Sequence, residues 1–376
     1  MDICFITDYF PPHIGGAEVL LDRVTAGLAE RGHRCCVITS WCDQSTPRIE
    51  QRGNLRIVRI GSPALPGRLW FNLLAIVSIW RYARMCQLIL ASTYGAIIPG
   101  MVAGLLTGKK VVLLVYEFMG ARWRALEPNP VKRMLYRAVE KMAAAWPFYK
   151  YIAISEYTAG VLRAAGIPAG RIERIICGGG AVFGEKLSSG DRPALRERYR
   201  LAADDYIFLG YGRAGISKGF ELLVQAIPLV LRQVPTAVFI LVLTPGEMAI
   251  WRRLLNGLRT IPAERYRLVT TLPRDQLGLL VQLADCVVIP SLTEGFGFTT
   301  VEAAGWGKKI VATRVGAIPE VIYGCHVLVG AGSAEALAKG CIQVARGSYD
   351  RTPPKRFDWE RTVGHYEQFF QRLING

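Results

Sequence analysis

Glu294 and Glu302 stand at either end of a short run, Gly295-Phe296-Gly297-Phe298-Thr299-Thr300-Val301, in which a glycine-containing loop gives way to a helical pattern near Thr299. The apolar residues Cys286-Val287-Val288-Ile289 precede it and read as a buried strand ended by Pro290. A strand, a glycine loop and a helix N-terminus together make an anion site, because free backbone N–H groups and the helix dipole point at the ligand. Carboxylates beside a bound phosphate would repel it, so this pair suits neutral hydroxyl donors. An acid that reads a ribose diol next to a phosphate-binding helix is one such arrangement. Taken singly, each glutamate has a plainer reading: Glu302 complements the helix dipole and Glu294 is a solvated loop residue. As glycosidase partners they fit poorly. Retaining hydrolases hold two carboxyls about 5–5.5 Å apart, whereas eight positions along a helix span roughly 12 Å.

A second constellation, Gly212-Arg213-Ala214-Gly215-Ile216-Ser217-Lys218-Gly219, directly follows an apolar strand pattern. Arg213 offers a planar fork of donors and Lys218 a point charge, a suitable pair for a diphosphate. The glycines let the backbone come close. A third is Gly15-Gly16-Ala17-Glu18, a tight turn feeding a helix. Other phosphate motifs are absent. The Gly178-Gly179-Gly180 cluster has Phe183 where a dinucleotide fingerprint needs its third glycine, and Gly104–Lys110 is one residue short of a P-loop. No Asp-x-Asp occurs to hold a metal-bound diphosphate, and the four histidines show no ligand spacing.

Together, PSLTEGFG, the seven residues between Glu294 and Glu302, EAAGWG, and the Arg213–Lys218 loop resemble the retaining glycosyltransferases of family 4, which have the GT-B fold. The resemblance covers most of the chain, is strongest over 205–325 and is poor between 60 and 150. It implies that Glu294 contacts the donor sugar and Glu302 holds the ribose of a nucleotide-diphosphate sugar. Arg213 and Lys218 would neutralise the leaving diphosphate without a metal or other cofactor. Gly15 and Gly16 would let the N-terminal domain approach the donor phosphate, with His13 a further candidate in that turn. The departing phosphate oxygen would take the acceptor's proton on the same face.

The pattern departs at two places. Many members put a histidine at the end of the strand Val111–Tyr116; here Tyr116 and Glu117 stand there. Glu117 is a candidate for binding the donor sugar or the acceptor hydroxyl, and equally for capping a helix. The family's Asn-Gly-Val-Asp appears as Gly178-Gly179-Gly180-Ala181. Both departures bear on donor and acceptor identity more than on reaction class.

The positioning elements follow from periodicity. Strand patterns at Ile3–Thr7, Cys35–Thr39, Leu55–Ile60, Leu88–Ala91, Val111–Tyr116, Ile152–Ser155 and Arg174–Cys177 mostly alternate with helical ones. A second series runs Ile207–Gly210, Val238–Leu243, Tyr266–Thr270, Cys286–Ile289, Ile310–Thr313 and Val327–Val329. Two α/β doubly wound, Rossmann-like domains are expected, 1–185 on the acceptor side and 186–356 for the nucleotide sugar, facing across a cleft. Residues 357–376 read as an amphipathic helix, and the GT-B resemblance implies that it packs back on the N-terminal domain.

At 376 residues the chain suits two domains, and 51% hydrophobic with 20% charged residues fits a folded protein. A net charge of +16 points to an anionic partner. The charge is spread over both halves, +9 for 1–185 and +7 for the rest, which is diffuse for a nucleic-acid groove. Nine scattered cysteines without a Cys-x-x-Cys pair read as buried reduced thiols of a cytosolic protein. No basic region precedes Ile3-Cys4-Phe5-Ile6, so no signal peptide is expected. The apolar run Leu69–Trp80 is too short to span a bilayer. Over Met119–Lys150, seven Lys and Arg interleave with Trp123, Tyr136, Trp146 and Phe148 against Glu127 and Glu140. Such a stretch can lie on an anionic leaflet or be a solvated basic face; the resemblance favours the former.

The sequence therefore leads to a retaining, metal-independent hexosyltransferase in the cytoplasm, at the inner face of the cell membrane. Its expected partners are a nucleotide-sugar donor, an acceptor sugar, glycolipid or polysaccharide precursor, and an anionic membrane surface, but no nucleic acid. The alternatives are a phosphorylase or epimerase using the same site, or a nucleotide-sugar-binding protein without catalysis.

Overall fold

The computed structural model describes residues 1–13, 15–61, 68–179, 187–188, 190–270 and 272–376, with backbone alone for 68–75. They form two compact units, Met1–Gly178 with Asp358–Gly376, and Gly179–Phe357. The domain boundary expected at 185/186, and Gly180 and Ala181 of the glycine cluster, lie outside the described residues.

Unit 1 begins β1 (Asp2–Ile6), α1 (Gly16–Glu30), β2 (Arg34–Ser40), β3 (Ile49–Arg52), β4 (Leu55–Ile60) and α2 (Arg68–Ala83). It continues β5 (Leu88–Ser92), α3 (Ile97–Thr107), β6 (Lys110–Val115), α4 (Trp123–Leu126) and α5 (Pro130–Ala145). The series closes with β7 (Lys150–Ala153), α6 (Glu156–Ala164) and β8 (Ile172–Arg174). The strand order is β3-β4-β2-β1-β5-β6-β7-β8, parallel except for β3. Central strands such as β5 are buried along their whole length, as parallel strands covered on both faces must be. β3 is a short, polar, antiparallel edge that periodicity did not reveal. The last strand lies at Ile172–Arg174 rather than Arg174–Cys177. Ile175 still donates to the Ala153 carbonyl, after which the chain leaves the sheet.

Unit 2 runs α7 (Asp191–Arg198), β9 (Tyr206–Ala214), α8 (Phe220–Leu231), β10 (Ala237–Pro245), α9 (Met248–Leu258), β11 (Tyr266–Val269) and α10 (Arg274–Leu283). It continues β12 (Cys286–Ile289), α11 (Phe298–Gly305), β13 (Lys309–Thr313), α12 (Ile318–Val321), β14 (Gly324–Val329), α13 (Ala334–Ala345) and β15 (Asp350–Thr352). The sheet order is β11-β10-β9-β12-β13-β14-β15, parallel except for the terminal β15, a second edge strand the sequence did not signal.

The C-terminal helix α14 (Trp359–Asn375) belongs to unit 1 and lies against α1. Val363, Tyr366, Phe369, Phe370 and Leu373 form its buried stripe, with Phe370 edge-on to Phe5. Arg31 donates to Glu360 and Glu367, each at 2.7 Å. The thiols are free, but not uniformly buried: Cys42 is exposed, and Cys36 and Cys325 are half-buried.

Candidate functional site

In unit 2 the chain steps from β9 outward to β10 and β11, then returns on the other side of β9 as β12. Loops leaving β9 and β12 diverge at such a reversal, and ligands of doubly wound sheets bind there, beyond the carboxyl ends of the strands. Both basic and acidic constellations occupy these two loops. They are also pinned together: Leu292 N–H donates to the Ser217 carbonyl at 2.7 Å. Gly219 has φ +65°, and a Cβ there would fall 2.1 Å from the Pro290 carbonyl oxygen. Glycine is thus required both for the turn and for the close approach.

Lys218 and Glu294 meet across this seam, Nζ to Oε1 at 2.5 Å. Ser291 Oγ donates to the same carboxylate oxygen at 3.0 Å. The Glu294 backbone is held from behind, its carbonyl accepting from Ala317 N–H at 2.9 Å. Gly316 passes so close that a Cβ would lie 1.9 Å from that carbonyl oxygen. Gly295, Phe296 and Gly297 are buried; Phe298 and Thr299, in the first turn of α11, are half-buried. Phe296 packs edge-on against Phe298 and Phe357, fixing the loop from below. Gly297, at φ +97°, is the residue before α11, and its carbonyl accepts from Thr300 N–H.

Glu302 is buried one turn into α11, only 7% exposed. Its Oε1 accepts from Arg274 at 2.7 Å, and its Oε2 lies 3.3 Å from the Tyr211 hydroxyl, which also reaches the Thr299 carbonyl. Burial lifts the Glu302 carboxyl to about 7, although Arg274, Tyr211 and the Lys218 charge all pull the other way. Burial and the Glu302 charge push the Tyr211 phenol upward. Neither Arg274 nor Tyr211 was legible as a site residue. Arg213 stands exposed, one residue before the end of β9, with its side chain passing Gly246. The structure therefore joins Lys218 to Glu294, and ties Glu302 to Arg274 and Tyr211, while Arg213 has no ion pair among the described residues.

The remaining candidates lie in unit 1, at its own chain reversal between β1 and β5. Gly15 precedes α1 in extended conformation and Gly16 opens the helix. His13 stacks on Tyr9 and pairs with Glu18 at 2.8 Å. Tyr116, at the end of β6, donates to the Ala17 carbonyl at 3.4 Å, so the strand end without the histidine meets the glycine turn. Burial, then Glu18, raises its phenol well above the usual range. Glu117 is half-buried beside it. Gly178 abuts Trp359: a Cβ would fall 2.5 Å from the indole, so a side chain at this position has no room.

Within Met119–Lys150, Glu140 is not a surface charge. It is buried and accepts from Tyr94 Oη, Met119 N–H, Gly120 N–H and Trp123 Nε1 at 2.7–3.0 Å, closing the loop after β6 onto α5. Away from Glu140, α5 exposes Val131, Met134 and Leu135, flanked by the exposed Lys132 and Lys141. No helix among the described residues is long and apolar enough to cross a membrane. Nor do three His, Cys, Asp or Glu side chains gather there as metal ligands would.

Two family models match the chain: "Glycosyltransferase Family 4" over residues 14–178 and "Glycosyl transferases group 1" over 203–346. A D-inositol 3-phosphate glycosyltransferase of Corynebacterium jeikeium is 26% identical over 177 residues, 43% of this chain and 42% of that protein. Another, from Xylanimonas cellulosilytica, is 35% identical over 135 residues, 35% of this chain and 31% of that protein. The chain thus aligns with less than half the length of these relatives. Sucrose-phosphate synthase from Thermosynechococcus elongatus superposes with a TM-score of 0.82 at 23% identity, covering 99% of both chains. HepE from Anabaena in complex with UDP-glucose does so at 0.74 and 18% identity, covering 99% of this chain and 100% of that one. These likenesses give the fold, GT-B.

Proposed function

We propose, from the premise that this chain belongs to glycosyltransferase family 4, that it moves a sugar from a nucleotide-diphosphate sugar to an acceptor hydroxyl. The observation that carries the reading is the pinned pair of loops in unit 2, where Lys218, Glu294 and Glu302 converge beyond β9 and β12. Glu302 in its ionised form accepts from the ribose hydroxyls. Lys218, released from Glu294 by the incoming diphosphate, neutralises the leaving group together with Arg213. Glu294 then turns its oxygens to the donor sugar. HepE, of the same fold, has been crystallised with UDP-glucose.

Transfer proceeds with retention and without a metal. The bond from the anomeric carbon to the diphosphate oxygen breaks, the acceptor oxygen bonds to that carbon on the same face, and its proton passes to the departing phosphate oxygen. Stabilisation of the diphosphate by fixed cations is then the principal catalytic contribution. Gly15 and Gly16 in unit 1 keep the roles the family resemblance implies, and Glu117, where the family's histidine is missing, binds the donor sugar or the acceptor hydroxyl. The acceptor is a glycolipid or polysaccharide precursor at an anionic membrane face, a reading supported by the apolar and basic side chains exposed on α5.

Melting the protein against a panel of nucleotide sugars tests donor binding, since a ligand at a hundred times its Kd adds about 2.7 kcal/mol. Transfer of label from the stabilising donor to extracted lipid, with the anomeric configuration of donor retained, is the expected result. No stabilisation by any nucleotide sugar would overturn the reading. Epimerised donor without acceptor would replace it with another activity.

A further inference from the structure

Unit 1 contains a cavity of ≈ 250 Å³ between the β3–β4 edge and the last two turns of α2. Three arginines line it: Arg48, Arg59 and Arg81. Arg59 is already satisfied. Its buried guanidinium pairs with Glu50 at 2.8 Å and donates to the Pro47 and Pro11 carbonyls. Arg48 and Arg81 differ. Each lies over an aromatic ring, Arg48 over Trp41 and Arg81 over Tyr82, and among the described residues neither has a carboxylate partner. Near Arg48 the chain has Asp43 and Glu50, the latter already engaged by Arg52 and Arg59; near Arg81 it has none. From Gln51 to Tyr116 it has no Asp or Glu, against eight Lys and Arg. Ser78 and Tyr82 complete the polar lining.

Two guanidinium groups without a carboxylate partner among the described residues, lining one cavity with a serine and a tyrosine, are the chemistry of phosphate recognition, because the planar fork matches phosphate oxygens. The cavity continues onto an apolar rim. Val77 lines it and is 72% exposed; Ile76 and Trp80 on the same helix are also exposed, with the Arg84 guanidinium 4.2 Å over the Trp80 ring. The neighbouring α3 exposes Leu105 and Leu106. Cations flanking exposed aromatic and aliphatic side chains suit a headgroup-and-chain boundary.

We propose that this cavity is a phosphate-ester site, with Arg48 and Arg81 gripping the phosphate and the α2 rim receiving any attached chain. Its role as the acceptor's grip rests on the transferase reading above; its affinity for phosphate does not. The phosphate can come from a lipid headgroup or from a soluble ester, and the two sources give different results.

The test uses the full chain, the double variant R48Q/R81Q, and R252Q/R259Q in unit 2 as a control of equal charge loss. Co-sedimentation with phosphatidylglycerol–phosphatidylcholine vesicles is measured beside a melting shift with glycerol 3-phosphate, a monoester. Vesicle binding that falls at least tenfold in R48Q/R81Q, within twofold of wild type in the control, and weakened by Trp80→Ser, supports a lipid phosphate. A glycerol 3-phosphate shift lost in R48Q/R81Q and kept in the control, with vesicles bound equally by all, supports a soluble ester. If R48Q/R81Q matches the control in both measurements, the site is overturned. The melting shift with a nucleotide sugar, which reports on unit 2, separates this failure from failure of the transferase reading, and circular dichroism confirms that each variant is folded.

Discussion

Arg274, the first residue of α10, holds the buried carboxylate of Glu302 on α11 at 2.7 Å, across 28 positions of sequence. Glu302 would be a weak hydroxyl acceptor if it were protonated, and burial already raises it to about 7 with Arg274 present. The guanidinium therefore keeps the acid poised at neutral pH rather than above it. Loss of an adjacent opposite charge moves a carboxyl upward by about 1–3 units.

Arg274→Gln is accordingly expected to shift the pH dependence of nucleotide-sugar affinity. In the native protein affinity should rise as pH passes through about 7, when Glu302 ionises. In the variant the rise should come later, costing roughly fivefold in affinity at pH 7 for the first unit of displacement and about tenfold for each further one, with the two proteins converging at high pH. Calorimetric titration of the stabilising donor between pH 6 and 9 measures this. An equal loss at every pH would show that Arg274 merely contacts the ligand.

The same carboxyl makes folding stability depend on pH in a direction opposite to most carboxylates. Its folded value is raised from 4.5 to about 7, so the folded protein holds this proton more tightly than the unfolded chain. The resulting stabilisation is complete below the unfolded value and is lost as pH rises through about 7. Glu302→Gln mimics the protonated acid. It should match the native protein near pH 4.5 and exceed it at pH 8 by about 1–3 kcal/mol. Urea unfolding at the two pH values decides, and a variant less stable by the same margin at both contradicts the assignment.

Much of this site could be read before any coordinates because its parts are local. A basic glycine loop after one apolar strand and an acidic glycine loop after another each carry their signal within about ten residues. What escaped was tertiary. Nothing near Arg274 marks it as the partner of Glu302, and Tyr211 falls between the strand pattern Ile207–Gly210 and the glycine loop, with no signal of its own. Glu140 counts as one more surface acid until the fold brings two backbone amides, a phenol and an indole to it. The edge strands β3 and β15 escaped for a different reason. They are short, polar and antiparallel, so neither alternation nor a buried run distinguishes them from loop.

Turnover should depend steeply on the two cations. Lys218→Ala strands Glu294 with Ser291 alone and removes a charge from the leaving group; Arg213→Ala removes another. Each should lower kcat by about 10²–10³, the scale for deleting one preorganised charge-stabilising donor. Single-turnover transfer from the identified donor measures the effect. Near-native rates in both variants would refute the proposed diphosphate grip.

The seam between the two loops can be broken without touching a charge. Gly219→Ala puts a Cβ 2.1 Å from the Pro290 carbonyl oxygen at a backbone φ of +65°. Part of its cost is the positive φ alone, which Gly347→Ala isolates: that glycine, at φ +80°, has nothing within 4 Å of the added atom. The left-handed conformation costs about 1–2 kcal/mol in either case. Gly219→Ala must additionally push the Ser217–Leu292 contact apart, so it should be the less stable of the two and also lose affinity for the donor. Gly347→Ala should keep that affinity. Paired melting curves with and without the nucleotide sugar separate these outcomes, and equal ligand-induced shifts in both variants would mean that the loops bind the donor independently of the seam.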